Sequence, residues 1–482
     1  TFKQANKEAK KAVAEAKTEA LRDAYDELET KEGQKSLFRI AKQRDRASKD
    51  IQHIKRMKYE AGNVLRSDKC ILKRWKNYYE ELMNVENDRE KRTEKLPPIE
   101  KAIEEISKRE VWDAVCKMKS GKAPGPDEIP ADAWKCLGDE GCNFLVWLFN
   151  DILQNGKIPD EWSESVLIPI YKNKGDVQDC GNYRGIKLMS HTMKIWERVI
   201  DRRIRKDVVI SEEQFGFVAG KSTTDATFAL TTMAEKYREK QKELHCVFID
   251  LEKAYDRVPR EEIWHCMRMK GVAEKYVEII QNMYENSRTV VRTAVGTTES
   301  FEVKVGLHQG SALSPLLFAV VMDALTDQVR RKAPWNMMYA DDVVLLNDTK
   351  REAEDELERW REALEKRGMK VSRTKTEYMC IGRHDLKPQI KMEGQAVPEK
   401  ELFKYLGTTI HEDGSSRNTI RKRVQAGWNS WRKVTGVMCD KKISAKSKGN
   451  VYKAVVRPAI LYGLETSAMT KKQDKELEVA EM

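Results

Sequence analysis

"MMYADDVVLL" (337–346) sets two aspartates side by side inside an apolar run. Met337, Met338 and Tyr339 precede them; Val343, Val344, Leu345 and Leu346 follow. That pattern predicts strand, tight turn, strand, with at least one face packed. Two carboxylates held together repel, and a buried unpaired charge is costly. An adjacent Asp pair alone is a weak signal, because turns favour Asp for local hydrogen bonding. A second acidic strand end strengthens it: in "HCVFIDLEKAYDRV" (245–258) the apolar run stops at Asp250. If these strands are neighbours in one sheet, three carboxylates converge at its edge. Such a cluster calls for divalent cations, and all-oxygen ligation suits Mg2+. Two such ions can activate a 3′-hydroxyl and stabilise a leaving pyrophosphate during in-line displacement. Residue types and spacing carry the reading this far, to a metal-dependent phosphoryl-transfer centre.

Outward from that hairpin, short apolar strands alternate with helices. "SVLIPIY" (165–171), "ELHCVFID" (243–250) and "FEVKVGL" (301–307) read as strands, which predicts an α+β or α/β core. "REAEDELERWREALEKRG" places Ala353, Leu357, Trp360 and Leu364 on one helical stripe, closed by Gly368. "MKVS" and "TEYMCIG" read as strands after it, and "LFKYLGTTI" (402–410) as a strand ending in a turn at "HEDGS". The C-terminal region is helical, with Ile420, Val424, Trp428 and Trp431 as an apolar stripe and Arg421, Lys422, Arg423, Arg432 and Lys433 elsewhere on the same helix. Residues 1–95 are Lys-, Glu- and Ala-rich. "KEAKKAVAEAKTEALRDAYDELE" has strong helix propensity with charges at i,i+4 spacing, and "LFRIAKQRDRASKDIQHIKRMK" (37–58) continues as a basic amphipathic helix.

The 482 residues suffice for several domains, and 35% are charged, so much of the surface is solvated helix. The net charge of +11 fits a polyanionic partner, nucleic acid ahead of membrane. No run approaches the roughly 18–20 apolar residues of a membrane span, and no secretory signal opens the chain. Nine cysteines without a C-x-x-C pair suggest reduced thiols rather than a disulfide frame or zinc site. The chain starts at Thr1 and stops inside a helical pattern, so the expectation is a fragment of a longer product.

"YADD" on a hairpin, "FIDLEKAYDRV" upstream and "GLHQGSALSPLLF" between them resemble the palm of a reverse transcriptase, in the form found in non-LTR (LINE-type) retrotransposons of the RTE clade. "SGKAPGPDEIP", "LIPIYKNKGD", "NYRGIKL", "EQFGFVAGKSTTDA", "GMKVSRTKTEYM", "FKYLGTTI" and "VVRPAILYGLET" support the resemblance in the family's order, across about residues 100–482. The resemblance implies a right-hand polymerase of the α+β class: fingers and palm with an antiparallel sheet over 96–400, primer grip and helical thumb over 401–482, and a basic helical extension over 1–95.

It also implies roles. Asp250 and Asp341 become the ligands of two Mg2+ ions, for which Mn2+ can substitute, with Asp342 supporting them and the Leu251 carbonyl completing one shell. Tyr255 becomes a steric gate whose ring clashes with a ribose 2′-OH and passes deoxyribose; alone it reads as a core aromatic. Gln309 and Gly310 match the block that packs on the incoming nucleotide, glycine allowing close backbone approach. Lys172 and Arg184 match finger cations for the triphosphate, and Lys375 a general acid for the departing pyrophosphate, although Arg373 lies close by. "FKYLG" matches the hairpin that grips the primer. The basic C-terminal helix would track duplex phosphates, its tryptophans forming thumb core.

The implied function is RNA-directed DNA synthesis from a DNA 3′-OH by target-primed reverse transcription, with element RNA, primer or target DNA and dNTPs as partners. The site of action would be the nucleus. Relatives carry an endonuclease upstream, and residues 1–95 resemble none. Two other readings are a catalytically silent nucleic-acid-binding derivative, disfavoured because Asp250, Asp341 and Tyr255 are all present, and another palm polymerase such as an intron maturase or RNA-copying RNA polymerase, disfavoured by Tyr255.

Overall fold

The computed structural model describes residues 4, 8, 38, 40–42, 45, 56–59, 62–94, 96–382, 389–413, 417–441, 443–466 and 469–481. The helices expected over 7–29 and 37–58 fall largely outside the described residues; at the end of the second, Met57–Lys58 is not helical but pairs as a short strand with Val64–Leu65. The chain forms two compact units, one of residues 53–401 and one of residues 1–52 with 402–482.

The larger unit begins with α1 (Asp68–Leu82), whose stripe Ile71, Trp75, Tyr79 and Leu82 is buried. α1 lies over a sheet in which β1 (Glu164–Tyr171) pairs antiparallel with β2 (Tyr183–Leu188) and parallel with a third strand, Arg288–Thr293. Trp75, Tyr79, Leu167, Tyr183 and Val291 share one core there. Residues 57–94 are thus integral to the larger unit, and the expected boundary at 95 falls inside it.

A second sheet holds the hairpin. Its order is β6–β3–β5–β4, all antiparallel, with β3 (Leu244–Ile249), β4 (Asn336–Tyr339), β5 (Asp342–Asn347) and β6 (Glu377–Ile381). β3 is buried along its whole length, as a central strand covered on both faces must be. Val247, Ile249, Val343, Leu345, Tyr378 and Cys380 join a large core with Leu357, Trp360 and Leu364 of α2 (Lys350–Glu365). α2 starts at a capping box of Thr349 and Glu352, and its Ala353–Leu357–Trp360–Leu364 stripe is fully buried. The α+β architecture stands.

Several expectations need correction. Only Phe301–Glu302 of the 301–307 segment pairs as strand. Beyond it the backbone bonds elsewhere: Val305 N–H to Met83, Gly306 N–H to Val258 and Leu307 N–H to Tyr255. "MKVS" makes a single bridge, Leu251 with Val371. In the smaller unit, "LFKYLGTTI" is a hairpin, Leu402–Tyr405 against Thr408–His411, rather than one strand.

In the same unit, α3 (Arg417–Met438) packs Ile420, Val434 and Val437 with Ile460 and Leu464, and Ile40 and Ala41 join that core. Trp431 borders it, but Trp428 is 52% exposed, because its position turns off the stripe. Arg421, Lys422, Arg432 and Lys433 face solvent. Arg423 instead donates to the Gly407 carbonyl and lies over the Tyr462 ring. Among the described residues no helix is long and apolar enough to cross a membrane.

Candidate active site

The turn between β4 and β5 carries the aspartates. Tyr339 pairs with Asp342, which leaves Ala340 and Asp341 as the loop. Ala340 has φ +60, the first central position of a II′-type turn, where glycine is customary. An L-residue there costs about 1–2 kcal/mol, so the surroundings must hold it.

β5 pairs with β3 with Val343 across from Ile249. One further step of that register sets Asp342 across from Asp250, and the three carboxylates share one sheet end. Burial raises the Asp341 carboxyl and the Asp250 charge adds to it, while Arg184 and Lys375 oppose the rise. Asp342 keeps an exposed edge, yet partial enclosure and the charges of Asp341 and Asp250 push it up to about 6. These are the marks of enclosed carboxylates whose mutual repulsion Arg184 and Lys375 offset only in part. An all-oxygen set so charged fits a hard divalent cation, which Asp250, Asp341 and Asp342 could hold. The Leu251 side chain is buried. Its neighbours carry the bonds to the facing segment, Ser372 N–H to Asp250 O at 2.8 Å and Glu252 N–H to Lys370 O at 2.9 Å. In such a pair the Leu251 carbonyl points away from 369–372.

Cations ring the carboxylates. Lys375 Nζ donates to Asp250 Oδ1 at 3.1 Å. Arg373 is instead held by Glu365 and Glu393, so of the two neighbours Lys375 is the one that reaches the cluster. Lys172 follows β1 and donates to the Gly181 carbonyl at 3.1 Å. Partial enclosure, then the charges of Lys375 and Arg184, lower its pKa. Arg184, on β2 opposite Ile170, is exposed.

Tyr255 sits just beyond β3, where Lys253 in a left-handed conformation starts a short helix, Ala254–Arg257. Its ring stacks on Phe318 at 4.4 Å and meets the edge of Phe217 at 6.3 Å. Burial, then the Asp341 charge, drives the phenol pKa far up. Its hydroxyl is enclosed with no hydrogen-bond partner among the described residues. The residue is thus packed into the core and also close enough to Asp341 to feel its charge.

Gly310 has φ +125, and a Cβ there would lie 2.4 Å from the Lys187 carbonyl oxygen; only glycine fits. Gln309 carbonyl accepts from Lys187 N–H at 2.7 Å. Its side-chain nitrogen donates to Asp256 Oδ1 at 2.8 Å rather than standing free. Burial pushes Asp256 up to about 6, against that hydrogen bond and the charges of Lys253, Lys187 and Lys172. Glu197, buried in helix His191–Asp207, accepts from Ser311 Oγ at 2.6 Å and Ala312 N–H at 2.7 Å and so fixes the same loop.

The structure thus brings Asp250, Asp341, Asp342, Lys375, Arg184 and Tyr255 to one sheet end, with Lys172 near Lys375 and Arg184, while Gln309 and Gly310 contact Asp256 and Lys187. Sequence reasoning missed Asp256, Glu197 and Gln214. Asp256 stood in a quoted block one residue past Tyr255, but Glu252 and Lys253 just before it make it look like one more surface charge. Gln214 accepts at Oε1 from Gly216 N–H at 2.9 Å and from Ala340 N–H at 3.2 Å. Nothing local to either segment announces that contact.

A twisted antiparallel sheet with carboxylates at one end, a buried aromatic beside them and cations around them defines a polymerase palm. The chain belongs to the reverse transcriptase (RNA-dependent DNA polymerase) family, whose profile matches residues 170–410. It is 26% identical over 402 residues to "Probable RNA-directed DNA polymerase from transposon BS" of Drosophila melanogaster, a match covering 77% of this chain and 43% of that protein. It is 25% identical over 391 residues to "RNA-directed DNA polymerase from mobile element jockey" of the same species, covering 76% and 42%. With "Retrovirus-related Pol polyprotein from type-1 retrotransposable element R2" of Nasonia vitripennis it shares 27% identity over 315 residues, covering 61% and 30%. The matches thus span less than half the length of each of these relatives.

Proposed function

We propose that this chain is the RNA-directed DNA polymerase of a non-LTR retrotransposon, of the RTE clade by the form of its sequence blocks. It extends a DNA 3′-OH on element RNA with dNTPs, by target-primed reverse transcription at nuclear target DNA. Residues 96–400 act as fingers and palm, and 401–482 as primer grip and thumb. One observation carries the reading: Asp250, Asp341 and Asp342 share a sheet end beside Tyr255, with Lys375, Arg184 and Lys172 around them.

Asp250, Asp341 and Asp342, with the Leu251 carbonyl, would hold two Mg2+ ions, which supply Lewis acidity for in-line displacement. Lys172 and Arg184 bind the triphosphate, the guanidinium as a fork and the ammonium as a point charge. Gly310, closed against the Lys187 carbonyl, and Gln309, whose amide is fixed by Asp256, shape the loop that packs on the nucleotide. Tyr255 excludes the ribose 2′-OH. Lys375 lies within reach to donate a proton to the departing pyrophosphate.

The test is extension of a DNA primer on an RNA template with dNTPs and Mg2+. Extension is expected from the wild-type chain and not from Asp250→Ala combined with Asp341→Ala. Synthesis that survives the double substitution sinks the assignment.

A further inference from the structure

The aspartate turn is braced from a distant part of the chain. Residues 213–216 lie along the free edge of β4: Met338 N–H donates to Glu213 O at 2.8 Å, and Phe215 N–H to Met338 O at 2.7 Å. Gln214 and Met338 form a parallel bridge. At the end of this added strand Gln214 turns inward, with 0% of its surface exposed. Its Oε1 is shared by two backbone donors, Gly216 N–H and Ala340 N–H. Gly216 is packed so closely on the turn that a Cβ would lie 2.4 Å from Ala340 N.

Ala340 is the residue that needs holding. It has a left-handed φ without being glycine, and as a loop residue it has no ladder partner for its N–H. A fixed acceptor at that N–H holds the Tyr339–Ala340 peptide in one orientation, immediately before Asp341, whose carboxyl feels the Asp250 charge. The same segment ends at Phe217, whose ring edge meets Tyr255.

We infer that Gln214 is a positioning residue: its carboxamide oxygen locks the Ala340 peptide and thereby sets where the Asp341 carboxylate stands. It touches no substrate. The role rests on the polymerase reading for its effect on rate, but not for its effect on the turn.

Gln214→Met keeps the length and bulk of the side chain and removes the acceptor. The expected result is a kcat for primer extension lowered about tenfold or more, with KM for dNTP changed by less than about threefold. Thermal melting reports whether the variant is folded. Hydrogen exchange over 337–343 should be faster by about tenfold, since the Ala340 N–H loses its acceptor. Ala340→Gly relieves the backbone constraint, so on that background Gln214→Met should cost about threefold or less. A folded Gln214→Met variant with kcat within about twofold of wild type, equal losses on both backgrounds, or unchanged exchange overturns the inference. If Gln214→Met does not fold, Gln214→Glu, which retains an acceptor for both N–H groups, must keep wild-type exchange at 337–343; faster exchange in that folded variant overturns it. A wild-type chain that extends no primer refutes the polymerase reading, and the exchange measurement still decides the bracing role.

Discussion

Asp342 combines an exposed edge with a pKa pushed up to about 6, and the sign of its effect on stability follows. Its unfolded value is about 3.9, so between about pH 4 and 6 the unfolded chain binds fewer protons and stability falls as pH rises. Above about pH 6 that loss is complete unless a cation compensates the ionised cluster. Mg2+ should therefore raise the melting temperature by several degrees at about pH 7.5 and hardly at all at about pH 5. Asp342→Asn should shrink the difference in calorimetry. Asp256 shifts in the same direction, but Mg2+ should leave its share untouched, and equal Mg2+ effects at both pH values would contradict the assignment of the cation site. Tyr255 gives a second expectation at this scale. Its ring is held by Phe318 at 4.4 Å, so removing it opens space rather than letting the ring swing. Tyr255→Ala should raise ribonucleotide incorporation relative to dNTPs by about tenfold or more, measured by single-nucleotide extension; an unchanged preference removes the gate role.

Elements differed in how plainly their residues announced them. α2 was legible because a capping box, a period of three to four residues and Gly368 with φ +83 all agree. Its stripe is buried against β3 and β5, and Leu357 has 0% exposure. Leu357→Ala should cost about 2–5 kcal/mol in urea unfolding; a cost below about 1 kcal/mol would mean the cavity collapses freely. The residue pattern over 402–410 read as one strand, and only the resemblance marked "FKYLG" as a hairpin, because Leu406 masks the first turn position and leaves Gly407 as a lone signal. Leu406 and Gly407 both have positive φ, and a leucine there is far from the usual Asn-Gly pair. Ala340 hides the other hairpin's turn in the same way, and only the adjacent aspartates betrayed it. The segment 301–307 kept its alternation, but its backbone bonds go to Met83, Val258 and Tyr255, partners that no local pattern reveals.

At the scale of the molecule, the order of the blocks pointed to which residues meet within the larger unit, where the aspartates stand at strand ends and a turn; "FKYLGTTI" and "VVRPAILYGLET" belong to the smaller unit. That order was not enough to say what fixes the residues that meet. Gln214 and Ala340 stand 126 residues apart, and Gln309 and Asp256 stand 53 apart, so such contacts exist only after folding. The opening aspartates also gain a setting in which their charges can be summed. Asp250, Asp341 and Asp342 have Lys375 and Arg184 beside them, and Lys172 lies near those two cations, three negative groups with three positive. The mouth of the palm is therefore close to electroneutral, although the chain as a whole carries +11. A polyphosphate brings several negative charges into that balance. On the polymerase reading, divalent ions would add the surplus positive charge to what Lys172 and Arg184 offer, and substrate affinity is expected to rise with the free-metal concentration.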